Sequence, residues 1–350
     1  MALTTTTGEA KAVAAGLLEA AGMPGGPARR TAWALVVAEV WGARSHGLLR
    51  LPHYLRRFAA GGTNPTASLR LVSDQKATAV YDGNNGLGHW QLWDAATDAV
   101  TRARDHGLSA VALANSGHCG ALGLYALPMV EAGLAGVVLC NGPAAMPPWG
   151  GHAPVLSTSP IAAGLPTAPE PTIIDLATSA AARGTIAELA AAGKDLPPGW
   201  AFDADGRPTT DPEEALAGML APMGGAKGYA LALLVEALTG AMVGPHLASD
   251  VADPLAPSQD GRPQRVAHLV LALDTRSFDP DGSAGERFAL LAERIGTAGG
   301  RLPGASRLAA SRAPDDTPLE VTPTTVEALA ERATVLGVEL PSGWGRPGAG

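Results

Sequence analysis

Cysteine is nearly missing from this chain: 350 residues carry two, Cys119 and Cys140. That count excludes a disulfide scaffold and a zinc site built on cysteine. Both residues flank strand-like runs and read as buried, inert thiols. Aromatic residues make up 4%, and no basic run is interleaved with them. Lys and Arg number 25 against 33 Asp and Glu, a net charge of −8, which offers no surface for nucleic acid. No run of about 18 apolar residues occurs, which argues against a membrane-spanning helix. Met1–Ala10 lacks the basic start and apolar block of a secretory signal. These absences point to the cytoplasm. What is present is 46% hydrophobic residues, 44 Gly and 29 Pro, in a chain long enough to bury a sizeable core. The length allows one large domain or two to three modest ones.

The pattern alternates helices and strands. Residues 8–43 read as helical, broken at Gly22 to Gly26, and a short helix covers 51–60 before Gly61-Gly62. Leu69–Val72 and Thr78–Tyr81 read as short strands. Gly88–His106 shows helical spacing and ends at Gly107. Leu108–Ala114 is an apolar run too short for helical patterning, so it reads as a buried strand. Further along come a helix over 121–132, strands over 135–140 and 171–177, and an Ala-rich helix over 179–192. Pro, Gly and Asp make 194–225 read as a long ordered loop. An apolar helix over 227–243, a strand over 266–273 and helices over 285–296 and 323–336 follow. The Pro/Gly-rich stretches 141–171 and 245–265 read as lids or subunit contacts. The class is α/β or α+β. The usual dinucleotide fingerprint is missing: Gly86-Leu87-Gly88 is followed three residues later by Gln91, not glycine.

Chemistry concentrates in a few segments. Asn115-Ser116-Gly117-His118-Cys119-Gly120 follows the strand 108–114, and it places an imidazole at a strand end. Arg44 to Pro52 offers Ser45, His46 and Arg50 within six positions. There a histidine can hold a proton and a guanidinium can grip a carboxylate at two points. The alternative is a capped helix start with solvated charges. Pro222 to Tyr229 sets glycines and Lys227 ahead of a helix, a pattern that suits an anion or a plain flexible loop. Asp175-Leu176-Ala177-Thr178-Ser179 ends a strand. There Asp175 can hold a sugar hydroxyl, or Thr178 or Ser179 can merely cap the next helix. Gly299 to Gly304 is a turn carrying Arg301.

Taken in order, RSHGLLRLPHY (44–54), DGNNGLG (82–88), NSGHCGALGLY (115–125), the Gly150-Gly151 region, DLATS (175–179), GWAFDADGRPTTDP (199–212), PMGGAKGYAL (222–231) and RLPG (301–304) span nearly the whole chain. In these motifs the sequence resembles the malate/L-lactate dehydrogenase family that lacks a Rossmann fold. That family includes ureidoglycolate and sulfolactate dehydrogenases and Δ1-piperideine-2-carboxylate reductases. The resemblance implies an α/β, non-Rossmann nicotinamide-binding fold with a helical N-terminal part. It implies a homodimer with active sites near the subunit interface. It implies Ser45 and His46 as a relay pair, Arg50 as proton donor or carboxylate clamp, and His118 as the alternative acid/base beside the nicotinamide. It carries His118, Gly120, Ala121, Thr158, Asp175, Leu176, Ala177, Arg183, Gly225, Lys227, Arg301, Pro303 and Gly304 to cofactor or substrate contacts, with no metal.

The expected cofactor is NADPH or NADH, with Arg183 and Arg301 as candidate partners of a 2′-phosphate that tilt the choice to NADPH. Departures from the family pattern are Thr158-Ser159-Pro160, Ala305, Arg183 and Thr185, and they bear on cofactor preference and pocket shape. The expected organisation is a helical and dimerisation part (1–70 with 300–350), a cofactor-binding part (71–245) and a remaining α/β part closing the sheet (246–299). The expected activity is hydride transfer to or from a small 2-oxo or 2-hydroxy acid or a cyclic 2-imino carboxylate. The rival is a non-redox paralogue that binds a metabolite or performs lyase-type chemistry on the same fold.

Overall fold

A computed structural model of the protein describes residues 2–345. The chain opens with β1 (Leu3–Thr6), α1 (Thr7–Ala20) and α2 (Gly25–Val40), and α3 (Leu51–Ala59) follows two 3-10 turns. The central part runs β2 (Arg70–Gln75), β3 (Thr78–Asp82), α4 (Gly88–His106), β4 (Leu108–Ser116), α5 (Leu127–Glu131), β5 (Ala135–Cys140), β6 (Ile161–Leu165) and β7 (Thr172–Leu176). Then come α6 (Arg183–Ala191), β8 (Ala201–Phe202), β9 (Pro208–Thr209), α7 (Pro212–Ala217), β10 (Met219–Leu220), α8 (Ala226–Glu236) and β11 (Val266–Leu273). The chain closes with α9 (Ala284–Thr297), α10 (Arg307–Ser311), β12 (Pro318–Val321) and α11 (Pro323–Leu336).

The main sheet has seven strands in the order β2-β3-β4-β11-β5-β6-β7. Only β3 and β4 run parallel; every other neighbouring pair is antiparallel. This topology explains why no Gly-rich dinucleotide fingerprint was found, because that motif belongs to a parallel βαβ unit. The central strand, β11, comes from late in the chain. It passes between β4 and β5, with a register shift between Val266 and His268. Residues alternate between faces along each strand. Val111, Leu113, Val138 and Val270 pack under α4, whose Leu92, Ala95, Ala96, Ala99 and Ala103 recur at helical spacing and are all buried. The opposite face sets Ala112, Leu139 and Leu269 against Val235 of α8. Alanines on α4 let that helix sit close to the strands, and Gly107 ends it in a left-handed turn at φ +85.

A second core joins the two ends of the chain. β1 pairs with β12, and Leu17, Leu18, Leu35, Leu51 and Tyr54 pack with Leu329 and Trp344. Arg57 is fully buried in α3 and donates to the carbonyls of Gln259, Gly62 and Arg262, which fixes α3 against 259–262. Buried Gln91 of α4 donates to Gly83 and accepts from Ser116, so the ends of β3 and β4 are held to one helix turn.

Several expectations are corrected. The stretch 194–225 is not a plain loop. It folds as the three-stranded sheet β10-β8-β9 with α7, capped by Asp211. The helix expected over 121–132 is a 3-10 turn, Leu122–Ala126, followed by the short α5, because Pro128 sits in the first turn of α5. The helix expected over 227–243 ends at Glu236 and continues as a wider turn, Ala237–Ala241. The helix expected over 179–192 starts at Arg183. The strands β1, β6 and β12 and the helix α10 were not expected.

Candidate active site

Two consecutive 3-10 turns, Arg44–His46 and Leu48–Arg50, lead into α3. Gly47 between them is required by a close approach. A Cβ there would fall 2.2 Å from Glu39 Oε1, the oxygen that accepts the Leu48 N–H at 2.8 Å. Pro52 lies in the first turn of α3, where its missing N–H costs nothing. The turns set Ser45, His46 and Arg50 side by side. Ser45 Oγ lies 2.9 Å from His46 Nδ1, and Arg50 Nε donates to the Ser45 carbonyl at 2.6 Å.

His118 arrives from the other side, on the loop after β4. Its ring stacks over His46 with centroids 6.0 Å apart and planes 15° apart. Nδ1 of His118 accepts the Gly120 N–H at 3.2 Å and lies 2.7 Å from Tyr54 Oη. A backbone N–H can only donate, so Nδ1 carries the lone pair and Tyr54 donates to it as well. In the neutral ring the proton therefore sits on Nε2, the atom left for a ligand. The His118 N–H is itself held by Gln264 Oε1 at 3.1 Å. His89 completes the group, its ring edge-on to Tyr54 at 5.1 Å and 6.3 Å from His118.

The electrostatics follow from burial. Burial first, then the Arg50 charge, pushes His46 down to about 4. Burial, then His46, pushes His89 down to about 3. His118 is held well below the usual imidazole range by burial and by its neighbours His46, His89 and Arg50. Burial raises Tyr54 above the ordinary phenol range. At neutral pH the three imidazoles and the phenol are uncharged around one guanidinium. Arg50 is half-buried, and among the described residues no carboxylate forms an ion pair with it.

The cofactor candidates fall into groups. The Thr158 carbonyl accepts from both the N–H and the hydroxyl of Thr178, at 2.9 and 3.0 Å, and Met223 N–H donates to the Thr178 carbonyl at 2.8 Å. These bonds gather Thr158, the end of β7 with Leu176 and Ala177, and the loop before α8. Gly225 precedes α8 at φ +69 with no side-chain cap, and Lys227 lies exposed in the first turn. An uncapped glycine-led helix start with a lysine fits a pyrophosphate. Trp149 rests against Gly225, with ring atoms 3.1 Å from where a Cβ would stand.

Other candidates sit elsewhere. Asp175 Oδ2 accepts the Gly123 N–H at 2.9 Å and faces Arg307 at 3.9 Å, so this oxygen is engaged within the fold. Ala121 is buried in the main core, and the Gly120 N–H serves His118. Arg183 opens α6 and its guanidinium donates to the Gly218 carbonyl at 3.5 Å, while the next residue, Gly184, packs against Ser45, with a Cβ there standing 3.3 Å from Ser45 Cβ. Arg301 is exposed, ahead of a turn in which Pro303 accepts the Ile173 N–H and Gly304 is left-handed at φ +59.

Sequence reading missed Tyr54, His89, Gln264 and Trp149 as site residues. Tyr54 closes the quoted 44–54 motif, but nothing in its spacing links it to residue 118. The two cysteines, read as buried, inert thiols, are buried and sit together with His268.

A helix-covered mixed sheet carrying this constellation defines an oxidoreductase of small carboxylates. The model for malate/L-lactate dehydrogenase matches residues 6–330. The chain is 39% identical over 305 residues to (2R)-3-sulfolactate dehydrogenase (NADP(+)) of Chromohalobacter salexigens, covering 87% of this chain and 90% of that one. It is 37% identical over 262 residues to Delta(1)-pyrroline-2-carboxylate reductase of Ancylobacter novellus, covering 75% and 76%. The fold superposes on sulfolactate dehydrogenase from Methanocaldococcus jannaschii with a TM-score of 0.88 at 30% identity, over 97% of this chain and 98% of that one. The chain belongs to the malate/L-lactate dehydrogenase family, as its motifs led us to expect.

The buried imidazoles make stability depend on pH. His89 binds a proton less readily folded than unfolded, so the unfolded state holds more protons below the ordinary imidazole value of about 6.5. Stability is therefore highest above about 6.5 and falls as pH drops, by about 1.4 kcal/mol per pH unit for this residue, until its folded value of about 3 is reached. Urea denaturation across this window is expected to show a shallower slope for His89→Gln than for the native protein. Equal slopes contradict the assignment.

Proposed function

We propose that the protein is an NAD(P)H-dependent oxidoreductase that moves hydride to or from C2 of a small 2-oxo or 2-hydroxy acid or a cyclic 2-imino carboxylate. The observation that carries this reading is Arg50: a half-buried guanidinium whose charge is felt by both His46 and His118 and which has no carboxylate ion-pair partner among the described residues. Its planar fork suits the carboxylate shared by these substrates. The nicotinamide, when bound, supplies or accepts the hydride. The chain's own residues do the rest. Arg50 orients the carboxylate, and Ser45 and Gly47 fix the geometry of His46 and Arg50. His118, held at Nδ1 by Tyr54 and Gly120, handles the proton at Nε2 for the carbonyl oxygen or imine nitrogen. Burial holds His46 and His118 down first and the Arg50 charge adds to it; a bound carboxylate offsets the Arg50 share, so substrate binding itself raises their affinity for a proton.

The uncapped start of α8 with Lys227 supports a pyrophosphate site there. The Arg183 guanidinium donates to the Gly218 carbonyl at 3.5 Å, which leaves exposed Arg301 as the better candidate for a 2′-phosphate and keeps the preference for NADPH. The non-redox alternative gains no specific observation. We place the protein in the cytoplasm as a homodimer. Leu231, Leu233, Leu234, Met242 and Leu247 of α8 and the segment after it are exposed, an apolar face that suits a second copy.

Two outcomes test this. With a panel of 2-oxo and 2-imino carboxylates, NADPH absorbance should fall. Arg50→Lys should lose most of that activity, and His118→Ala should cut turnover by about 10²-fold or more. No turnover across the panel with both cofactors, despite demonstrated cofactor binding, favours the non-redox paralogue. For the dimer, Leu234→Glu should lower the sedimenting mass to that of one chain, and a monomeric native protein would remove the proposal.

A further inference from the structure

Beneath the His118 loop, Cys119, Cys140 and His268 bring one ligand atom each to within 4.8 Å of one another. They are 4%, 6% and 0% exposed. The sheet register puts them there. His268 of β11 and Cys140 of β5 are directly paired residues, on the face shared with Val270 and Val138 under α4. Such a pair brings side chains to about 5 Å. Cys119 comes in from the loop after β4, held down where Gly88 begins α4; a Cβ on Gly88 would stand 2.9 Å from Cys119 Cβ. Among the described residues neither ring nitrogen of His268 has a hydrogen-bond partner outside this cluster, and within it the ring meets the Cys119 thiol, a sparse set for a fully buried imidazole. No step of the proposed reaction uses this group.

We propose that Cys119 Sγ, Cys140 Sγ and one ring nitrogen of His268 bind a single zinc ion. Two thiolates and an imidazole select a soft, tetrahedral ion and reject magnesium or calcium. Around zinc, with bonds of about 2.0 to 2.3 Å, tetrahedral donors stand about 3.6 Å apart. Side-chain adjustments of about 1 Å close the observed set. Binding breaks two S–H bonds and forms two S–metal bonds, and the protons leave to solvent. Three protein donors leave one position for water. The ion ties the 117–120 loop to the centre of the sheet. This site goes against the exclusion of a cysteine-based zinc site drawn from the two-cysteine count, which left out a third donor on a strand far along the chain.

The test uses the full chain under a non-thiol reductant, with Cd²⁺ as the absorbing probe for zinc. Because the cluster is sealed, the ion is added both to native protein and during refolding from urea. The expected result is an ultraviolet thiolate-to-cadmium band in at least one of these arms. It should saturate at one ion per chain and be lost on competition with Zn²⁺. Cys119→Ser and Cys140→Ser should each remove about half of the band. His268→Asn should keep both thiolates and weaken binding by at least about tenfold, since even losing an outer-shell partner costs that much. No band in either arm, or a band of unchanged intensity in both cysteine variants, overturns the proposal. If one serine variant fails to fold, the native titration and the other variant still decide.

Discussion

Arg50 stands among His46, His53, Tyr54 and His118 and forms no ion pair with a carboxylate of the described residues. A half-buried guanidinium left without a counter-charge costs free energy. Burial keeps the neighbouring imidazoles uncharged, and the Arg50 charge adds to that effect, whereas Tyr54 stays neutral through burial, against the pull of Arg50. The local chain is arranged to keep it so. Gly47 admits Glu39 Oε1, but that oxygen goes to the Leu48 N–H, not to the guanidinium. Arg50 Nε goes to a backbone carbonyl. The proposed function gives this charge to a carboxylate that enters from outside and lets the neutral imidazoles gain a proton when it does.

The fold explains how two distant segments meet over this charge. The turns before α3 belong to the core built from both chain ends, whereas His118 belongs to the seven-stranded sheet. One hydrogen bond, Tyr54 to His118, joins the two directly at 2.7 Å. Buried Arg57, one helical turn on, fastens α3 to 259–262, and Gln264 just beyond holds the His118 backbone. Each side of the site is therefore braced through the same stretch of chain.

Much of the scaffold was legible in the sequence. Leu108–Ala114 announced β4 by an apolar run, and α4 by its spacing and its terminal Gly107. β6 was hidden, because Ile161-Ala-Ala-Gly-Leu165 has few strand-favouring residues; its Gly164 is small because a Cβ there would meet Val130 at 2.6 Å. The two-residue strands of 201–220 are too short for any periodicity, so turn chemistry dominated the reading. Within the site, residue types and motif order pointed to Ser45, His46, Arg50 and His118. The partners that fix them, Tyr54, Gln264 and His89, are set by tertiary contacts that local spacing does not encode. The same holds for His268 beside the cysteines.

The central claim is that a substrate carboxylate at Arg50 loads the proton that the reaction consumes. Nuclear magnetic resonance titration of the histidine rings, in the native protein with oxidised cofactor bound and with or without an unreactive carboxylate, tests it most directly. The account predicts that His46 and His118 stay neutral down to acidic pH without the carboxylate, and that at least one of them takes up a proton at clearly higher pH when it is bound. Unchanged titration of both rings in the presence of bound carboxylate would contradict it.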